Sequence, residues 1–129
     1  MVITGSIEHG KALGRRLGFP TANIRPDGDV ASENGVYAAA LWLEGEPRPR
    51  RCMVNQGVHP TAPEGKPTVE AHLLDFDGDL YGMRVRLKYL KFLRPERRFD
   101  GLDALKAQLS RDLEAARGYL DGLDVAWMQ

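Results

Sequence analysis

Residues 83–92 read Met-Arg-Val-Arg-Leu-Lys-Tyr-Leu-Lys-Phe, and this stretch decides the fold class of the chain. Basic and apolar side chains alternate along it in the order Arg84, Val85, Arg86, Leu87, Lys88 and Tyr89. A period of two places the two kinds of side chain on opposite faces of an extended backbone. The stretch therefore predicts a β-strand with one face buried in a core and one face in water.

Short apolar runs precede this strand, and Gly and Pro separate them throughout the first 99 residues. Such punctuation is typical of strands that are joined by turns. The predicted strands are residues 2–8, 21–25, 35–43, 50–56, 68–75 and 83–92. Asp77-Gly78-Asp79 has the composition of a tight turn, which predicts that the last two strands pair as a hairpin.

The segment after residue 99 is helical in pattern. Its apolar residues recur at steps of three and four, which places them on one stripe of a helix over about residues 101–120. They are Leu102, Leu105, Leu109, Leu113, Ala116 and Leu120. Asp100 is expected to cap the helix, and Asp103 adds a negative charge to its first turn, where the helix dipole favours it. Six strands followed by one helix predict a mainly β fold, a small antiparallel barrel with the helix packed on it.

The length and the net charge of the chain limit the classes of function that it can have. The chain has 129 residues, with 18 Lys+Arg against 18 Asp+Glu, so its formal net charge is zero. This length predicts a single domain over residues 1–129, with the barrel over about 1–99 and a tail at 121–129. Zero net charge argues against binding nucleic acid or a membrane through the overall field. The single Cys52 excludes an internal disulfide, and no signal peptide or membrane span is expected, so a cytoplasmic location is favoured.

A glycine-rich segment is the first candidate for chemistry. Within residues 9–24, glycines recur every four residues with cations between them: Gly10, Gly14 and Gly18, and Lys11, Arg15 and Arg16. Glycines allow backbone N–H groups to converge on an anion, and the cations add charge. The spacing matches neither the P-loop nor the dinucleotide fingerprint, so a surface loop without a ligand stays an alternative.

The tetrapeptide Pro20-Thr21-Ala22-Asn23 follows directly. Thr21 and Asn23 lie two residues apart on a predicted strand, so their side chains are expected to share a face. A hydroxyl and an amide oxygen are hard ligands that suit Mg²⁺, which completes its shell with phosphates and water. The alternative is that both side chains only satisfy a turn.

The segment over residues 10–23 resembles the signature of the riboflavin kinase family, Gly-(x)3-Gly-Arg-x-Leu-Gly-Phe-Pro-Thr-Ala-Asn. Further blocks similar to that family follow in its order at residues 34–38, 54–61, 69–76, 79–82 and 92–100. The resemblance covers about residues 5–120. It implies a six-stranded antiparallel Greek-key barrel with a C-terminal α-helix.

The resemblance also implies an activity. Members of the family transfer the γ-phosphate of ATP to the 5′-hydroxyl of riboflavin, giving FMN and ADP, with Mg²⁺ bound to the nucleotide. A riboflavin kinase with ATP and riboflavin as its partners is therefore expected. Many bacterial relatives carry this module behind an adenylyltransferase domain that makes FAD, and no such domain is recognised here, so a separate adenylyltransferase is an expected downstream partner.

The roles of individual residues follow from the same resemblance. Glu70 matches the catalytic base that accepts the proton of the ribityl hydroxyl, and Thr21 and Asn23 match the metal ligands. The expected nucleotide and phosphate residues are Gly10, Gly14, Arg15, Gly18, Thr21, Asn23, Leu73, Asp75 and Tyr81. The expected flavin residues are Arg94, Arg97 and Phe99, with the cations facing the FMN phosphate or the ring oxygens. Packing alone is an alternative role for Leu73 and Tyr81.

Two further residues near this set have structural interpretations. His72 shares a face with Glu70 by strand alternation, and a lone His beside one Glu is expected to be structural. Cys52 lies in an apolar strand and is expected to pack rather than react.

Three residues depart from the family pattern. Gln56 stands where an apolar residue is usual, His59 where Asn or Arg is common, and Ala62 where an aromatic residue is frequent. They are expected in a loop that encloses the substrates, so they bear on affinity and flavin specificity. Two alternative functions follow: a non-catalytic flavin- or nucleotide-binding module, and a kinase for another hydroxylated small molecule. The least favoured alternative is an RNA-binding barrel, which only the basic residues of 84–98 suggest.

Overall fold

The computed structural model describes residues 1–8, 18–58 and 67–123. Within these ranges the chain forms the strands β1 (Val2–Glu8), β2 (Ala22–Pro26), β3 (Gly35–Leu43), β4 (Arg50–Val58), β5 (Pro67–Leu73) and β6 (Arg84–Pro95), and the helix α1 (Leu102–Asp121). None of the described helical residues belongs to a segment long and apolar enough to cross a membrane.

The strands close into a barrel in the order β1-β2-β5-β4-β3-β6. Every neighbouring pair is antiparallel. β3, β4 and β5 are neighbours in sequence and in space, and β6 returns to lie beside β3, which is the Greek-key connection. The predicted six-stranded antiparallel Greek-key barrel with a C-terminal helix is confirmed.

The predicted hairpin between the last two strands is wrong. β5 pairs with β2 and β4, whereas β6 pairs with β1 and β3. Asp79 does form a local turn, because its carboxylate accepts the backbone N–H of Tyr81 at 2.9 Å. The chain then docks on β1, where the Gly82 N–H donates to the Ile7 carbonyl oxygen at 2.8 Å. Turn composition sets the local geometry, but both edges of β5 are already occupied, so β6 pairs elsewhere.

The barrel interior follows the alternation read from the sequence. Val85, Leu87 and Tyr89 are buried inside, whereas Arg84 and Arg86 are exposed, as predicted. The same interior cluster contains Ile3, Ile7, Ile24, Leu41, Leu43, Cys52, Val54, Val69, Ala71 and Leu73. Cys52 is fully buried in this cluster and packs as expected, and burial raises the pKa of its thiol.

A second apolar cluster joins α1 to the outside of the barrel. Leu109, Ala116 and Leu120 of α1 pack on barrel residues that include Val36 and Met53. The predicted stripe is confirmed except at Leu102, which is 51% exposed. Further along α1, two polar residues that were not in the predicted stripe, Gln108 and Asp112, are buried as well.

The start of α1 also differs from the prediction. Gly101 occupies the N-cap position without a side-chain hydrogen bond, so Asp100 is not the cap. The helix begins one residue later than the predicted helix, which leaves Asp100 outside it. Asp103 lies in the first turn, as predicted.

Gln56 lies inside the barrel and not in a substrate-enclosing loop, which corrects the prediction for this residue. It is fully buried on β4. Its amide nitrogen donates to the Ala31 carbonyl oxygen at 2.7 Å and to the Asn34 side-chain oxygen at 3.0 Å. Its amide oxygen accepts the Tyr89 hydroxyl at 2.7 Å. Burial raises the pKa of Tyr89 to about 12, so this hydroxyl remains a donor at neutral pH.

We expect Gln56→Leu to lower the free energy of unfolding by about 2 kcal/mol, because it leaves the buried Tyr89 hydroxyl without its acceptor. Urea denaturation of the variant and the parent measures this loss. Tyr89→Phe is the matched control: it removes the donor of the same bond and is expected to cost about 1 kcal/mol. An unchanged midpoint for Gln56→Leu would contradict the structural role.

Candidate active site

Four polar residues face outward side by side across β1, β2, β5 and β4. The register pairs Glu8 with Asn23, Asn23 with Glu70, and Glu70 with Asn55. Residues directly opposite each other point to the same side of the sheet, with Cβ atoms about 4.5–5.5 Å apart. We call these residues the polar row.

Strand alternation explains why Glu70 is on the outside. Val69, Ala71 and Leu73 of β5 are buried in the interior, so Glu70 and His72 point the other way. Because β5 lies between β2 and β4, Glu70 has a polar neighbour on each side. The structure therefore brings together two of the predicted site residues, Asn23 and Glu70, from strands that are far apart in sequence.

The segment before β2 is anchored to the outside of the barrel. Gly18 has φ +85°, a conformation that favours glycine, and Phe19 is buried in the cluster under α1. The Nδ1 atom of His72 lies 2.7 Å from the Pro20 carbonyl oxygen, to which it donates as the Nδ1–H tautomer. The Phe19 and His72 rings also meet edge to face, with centroids 5.9 Å apart. These contacts confirm a structural role for His72.

Thr21 follows this anchored segment directly. It is half-buried and lies one residue before β2, rather than inside the strand as predicted. Its place is therefore set by the anchored residues before it and by Asn23 after it. Gly10, Gly14 and Arg15 lie outside the described residues, as do His59 and Ala62.

A groove of about 640 Å³ borders the polar row at Glu8. Its lining consists of Ser6, Ile7, Glu8, Arg25, Pro26, Asp27, Tyr81 and Gly82. Tyr81 is 56% exposed at this groove. The Arg84 guanidinium and the Thr4 hydroxyl hold the pKa of Asp27 well below its usual range, so this carboxylate remains charged. The groove thus offers an aromatic surface and charged groups at the Glu8 end of the polar row.

Leu73 and Asp75, the other two predicted nucleotide residues after Glu70, do not line this groove. The Leu73 side chain is buried in the barrel interior, and packing accounts for it. Asp75 has φ +55° and forms ion pairs with Arg117 at 2.9 Å and Arg51 at 3.2 Å. The hydrogen bond from Arg117 holds the pKa of Asp75 below its usual value. In this structure the Asp75 carboxylate joins α1 to the barrel.

The three predicted flavin residues lie together near α1. The Arg94 guanidinium donates to both carboxylate oxygens of Asp112, at 2.8 and 2.7 Å. The Phe99 ring faces both arginines, with its centroid 5.7 Å from the Arg94 guanidinium carbon and 5.1 Å from that of Arg97. Arg94, Arg97 and Phe99 therefore form one group, which is held to α1 by Asp112.

Gln108 extends this group. Its amide nitrogen donates to Asp112 at 2.9 Å, and its amide oxygen accepts Arg97 at 3.2 Å and Arg111 at 2.9 Å. Sequence reasoning missed Gln108 and Asp112. The available signal was their spacing of four residues, which places two polar side chains on the face of α1 that also carries Leu109 and Ala116.

The oxygen donors of the site suit Mg²⁺. Thr21 supplies a hydroxyl, Asn23 an amide oxygen, and Glu70 a neighbouring carboxylate, all of them hard ligands. Among residues 1–8, 18–58 and 67–123 there is no group of three or more His, Cys, Asp or Glu side chains that could hold a metal ion alone. A cation that takes few protein ligands and shares its shell with phosphates fits this donor set.

Comparisons with known proteins agree on one family. The family model described as "Flavokinase: Riboflavin kinase" matches residues 1–120. The bifunctional riboflavin kinase/FMN adenylyltransferase of Escherichia coli (strain K12) is 42% identical over 117 residues, which is 91% of this chain and 37% of that protein. The protein of the same name from Bacillus subtilis (strain 168) is 34% identical over 125 residues, 94% of this chain and 39% of that protein. The chain thus spans less than two fifths of the length of these relatives.

Solved structures show the same fold. Riboflavin kinase from Trypanosoma brucei matches with a TM-score of 0.64 and 28% identity, covering 94% of this chain and 80% of that one. A structure titled "Macrolide-efflux Protein" from Streptococcus pneumoniae matches with a TM-score of 0.79 and 30% identity, covering 90% of this chain and 38% of that one.

Proposed function

Because the chain belongs to the riboflavin kinase family, we propose that it transfers the γ-phosphate of ATP to the 5′-hydroxyl of riboflavin, with FMN and ADP as products. The observation that carries this proposal is the cross-strand pair of Asn23 and Glu70, in a row whose Glu8 end borders the groove. It places a carboxylate next to a candidate metal and phosphate ligand, as phosphoryl transfer to a hydroxyl requires.

In the proposed mechanism, Glu70 orients the ribityl hydroxyl and accepts its proton as the oxygen attacks the γ-phosphorus. The bond between the γ-phosphorus and the bridging oxygen breaks, and ADP leaves. Thr21 and Asn23 would hold Mg²⁺, which when bound would neutralise the negative charge of the phosphates. Because Glu70 lies on a strand paired on both sides, little reorganisation is needed to reach the reactive geometry.

The nucleotide is proposed to occupy the groove next to the polar row. Tyr81 is proposed to offer its ring to the base, and Gly18 and Asn23 are proposed to face the phosphates. Gly10, Gly14 and Arg15 are proposed to contact these phosphates, and Leu73 and Asp75 to lie near the nucleotide. Only Tyr81 in this set has an exposed aromatic surface, so it is the residue whose replacement bears most directly on ATP affinity.

The flavin ring is proposed to lie against Phe99, with Arg94 and Arg97 facing its oxygens. The register continues from Asn55 to Val36 and from Val36 to Arg94. Three strand-to-strand steps around the closed barrel therefore separate Glu70 from Arg94. In riboflavin the ring carbonyls lie at the far end of the molecule from the 5′-hydroxyl. This separation favours the ring oxygens, rather than the transferred phosphate, as the partners of the arginines.

The proposed catalytic unit is one domain over residues 1–129, with α1 bound to the barrel through the shared outer cluster. The activity proposed for this unit is the kinase step. Formation of FAD would then require an adenylyltransferase that takes up FMN as its substrate. A cytoplasmic location is proposed for this kinase, because it would draw on ATP.

Incubation of the purified protein with riboflavin and MgATP tests the proposal. We expect one FMN and one ADP for each riboflavin consumed, measured by chromatography with flavin fluorescence. Tight flavin binding in calorimetry without FMN formation would contradict the proposal and favour a non-catalytic binding module. Phosphorylation of another hydroxylated compound in a substrate panel, with riboflavin left unchanged, would identify a kinase of different specificity.

A further inference from the structure

Gln108 is a buried polar residue of α1 to which no part in binding has yet been given. It is 9% exposed, and its amide nitrogen donates to the Asp112 carboxylate at 2.9 Å. Its amide oxygen accepts N–H groups of both Arg97 and Arg111. A carboxylate only accepts and a guanidinium only donates, so a single orientation of the amide satisfies all three partners. The direction of the Gln108 oxygen is therefore fixed.

Arg97 takes its position from this oxygen. Arg97 is exposed, and its Nη1 atom lies 3.2 Å from the Gln108 oxygen. Within residues 1–8, 18–58 and 67–123, Gln108 is its hydrogen-bond acceptor, and no carboxylate forms an ion pair with it. A long exposed side chain without such an acceptor samples many rotamers. The Gln108 oxygen thus favours the rotamer in which the Arg97 guanidinium carbon is 5.1 Å from the Phe99 ring centroid.

The neutral charge of this acceptor leaves Arg97 able to bind a second group. Among the described residues, one of the five N–H donors of Arg97 is used, by Gln108, so the others are available to a ligand. A carboxylate in place of the amide would pair with the cation and compete with an oxygen of the ligand. Binding also costs less free energy when the side chain that makes the contact is already ordered. Arg97 is therefore ordered and charged before a flavin arrives.

We propose that Gln108 is a positioning residue of the flavin site, whose amide oxygen holds the Arg97 guanidinium beside Phe99 in the orientation that meets a ring oxygen of riboflavin. The inference rests on the proposed function and adds a residue to it. Gln108 acts through Arg97 and does not need to touch riboflavin.

The test uses Gln108→Met in the full chain. Met is close to Gln in size and fills the same space, but its thioether is only a weak acceptor, so Arg97 loses its partner. We expect the KM for riboflavin to rise about fivefold, the cost of ordering one long side chain on binding. The kcat and the KM for ATP should stay within about twofold of the parent, a split that a general loss of structure would not produce.

Arg111→Met is the matched control. Arg111 donates to the same Gln108 oxygen at 2.9 Å, whereas the guanidinium groups over the Phe99 ring in the described part of the chain belong to Arg94 and Arg97. This variant removes one hydrogen bond from the same network but leaves Arg97 held. The KM for riboflavin should therefore stay within about twofold of the parent.

A double variant separates positioning from an independent role. Arg97→Met should raise the KM for riboflavin about tenfold, the cost of one hydrogen bond to a charged group. In this background Gln108→Met should change that KM by less than about twofold, because the group it positions is gone. Arg97 is exposed, so its replacement leaves the packing of α1 intact. If Gln108→Met does not fold, an unchanged KM for riboflavin in Arg97→Met still overturns the proposal.

Equal KM values for riboflavin in the parent and in folded Gln108→Met would overturn the role of Gln108 while leaving the proposed function intact. Equal rises in Gln108→Met and Arg111→Met, or losses from Gln108→Met and Arg97→Met that multiply, would also overturn it. Absence of FMN formation by the parent would instead overturn the proposed function. The riboflavin Kd values of the same variants, measured by flavin fluorescence without ATP, would then decide the role of Gln108 by the same ratios.

Discussion

Glu70→Gln is expected to lower kcat by at least about 100-fold, within the range for loss of a general base. The carboxamide has almost the same shape as the carboxylate but cannot accept the proton of the ribityl hydroxyl. The proposed nucleotide and flavin residues are unchanged in this variant, so the KM values for ATP and riboflavin should stay within about threefold of the parent. Steady-state assays of FMN formation measure all three quantities.

The fold should tolerate this change, because Glu70 is half-buried on the outside of β5 and not in the interior. A thermal midpoint close to that of the parent will show that the loss is chemical. Glu46→Gln is the control: it makes the same replacement at a carboxylate paired with Arg50, away from the polar row, and should leave kcat unchanged. A Glu70→Gln variant with near-parental kcat would remove Glu70 from the role of base.

The strands could be predicted because alternation is a local property. The pattern of Arg84 to Tyr89 needs no knowledge of the rest of the chain, and burial of Val85, Leu87 and Tyr89 follows directly from it. Pairing is different, because it depends on which strand edges are still open. Asp79 does form a local contact with the Tyr81 N–H, but β5 is already paired on both sides, so the hairpin predicted from Asp77-Gly78-Asp79 does not form.

The candidate site shows the same difference between what a local pattern predicts and what strand pairing decides. The resemblance pointed to Asn23 and Glu70 separately, and only the register shows that they are cross-strand partners. Gln56 was misplaced for a related reason: it departs from an apolar pattern, yet its polar atoms are all satisfied inside the barrel. A polar residue in a strand does not by itself indicate a binding loop.

Exposure also separates residues that the resemblance treated alike. Leu73 and Tyr81 were both expected near the nucleotide, with packing as the alternative for each. Leu73 is buried in the interior, whereas Tyr81 is largely exposed in the groove. The sequence cannot make this distinction, because both are hydrophobic residues near the end of a predicted strand.

Asp112→Ala is expected to lower the free energy of unfolding by about 3 kcal/mol. The Asp112 side chain is 4% exposed and that of Arg94 is 15% exposed, so the substitution leaves a largely buried guanidinium without its counterion. This figure is at the low end for a broken buried pair, since Arg94 keeps some contact with water. Urea denaturation at neutral pH measures the loss, and a change below about 1 kcal/mol would contradict the structural role.

The double variant Arg94→Met/Asp112→Leu separates stability from flavin binding. Replacing both charged partners by apolar residues of similar size removes the unpaired charge, so most of the lost stability should return. Among the described residues, three of the five N–H donors of Arg94 go to Asp112 and Pro95, which leaves donors for a ring oxygen of the flavin. The stable double variant should therefore show a riboflavin KM about tenfold above the parent, the cost of one hydrogen bond to a charged group. An unchanged riboflavin KM in this variant would restrict Arg94 to holding α1 on the barrel and leave Arg97 and Phe99 as the proposed flavin contacts.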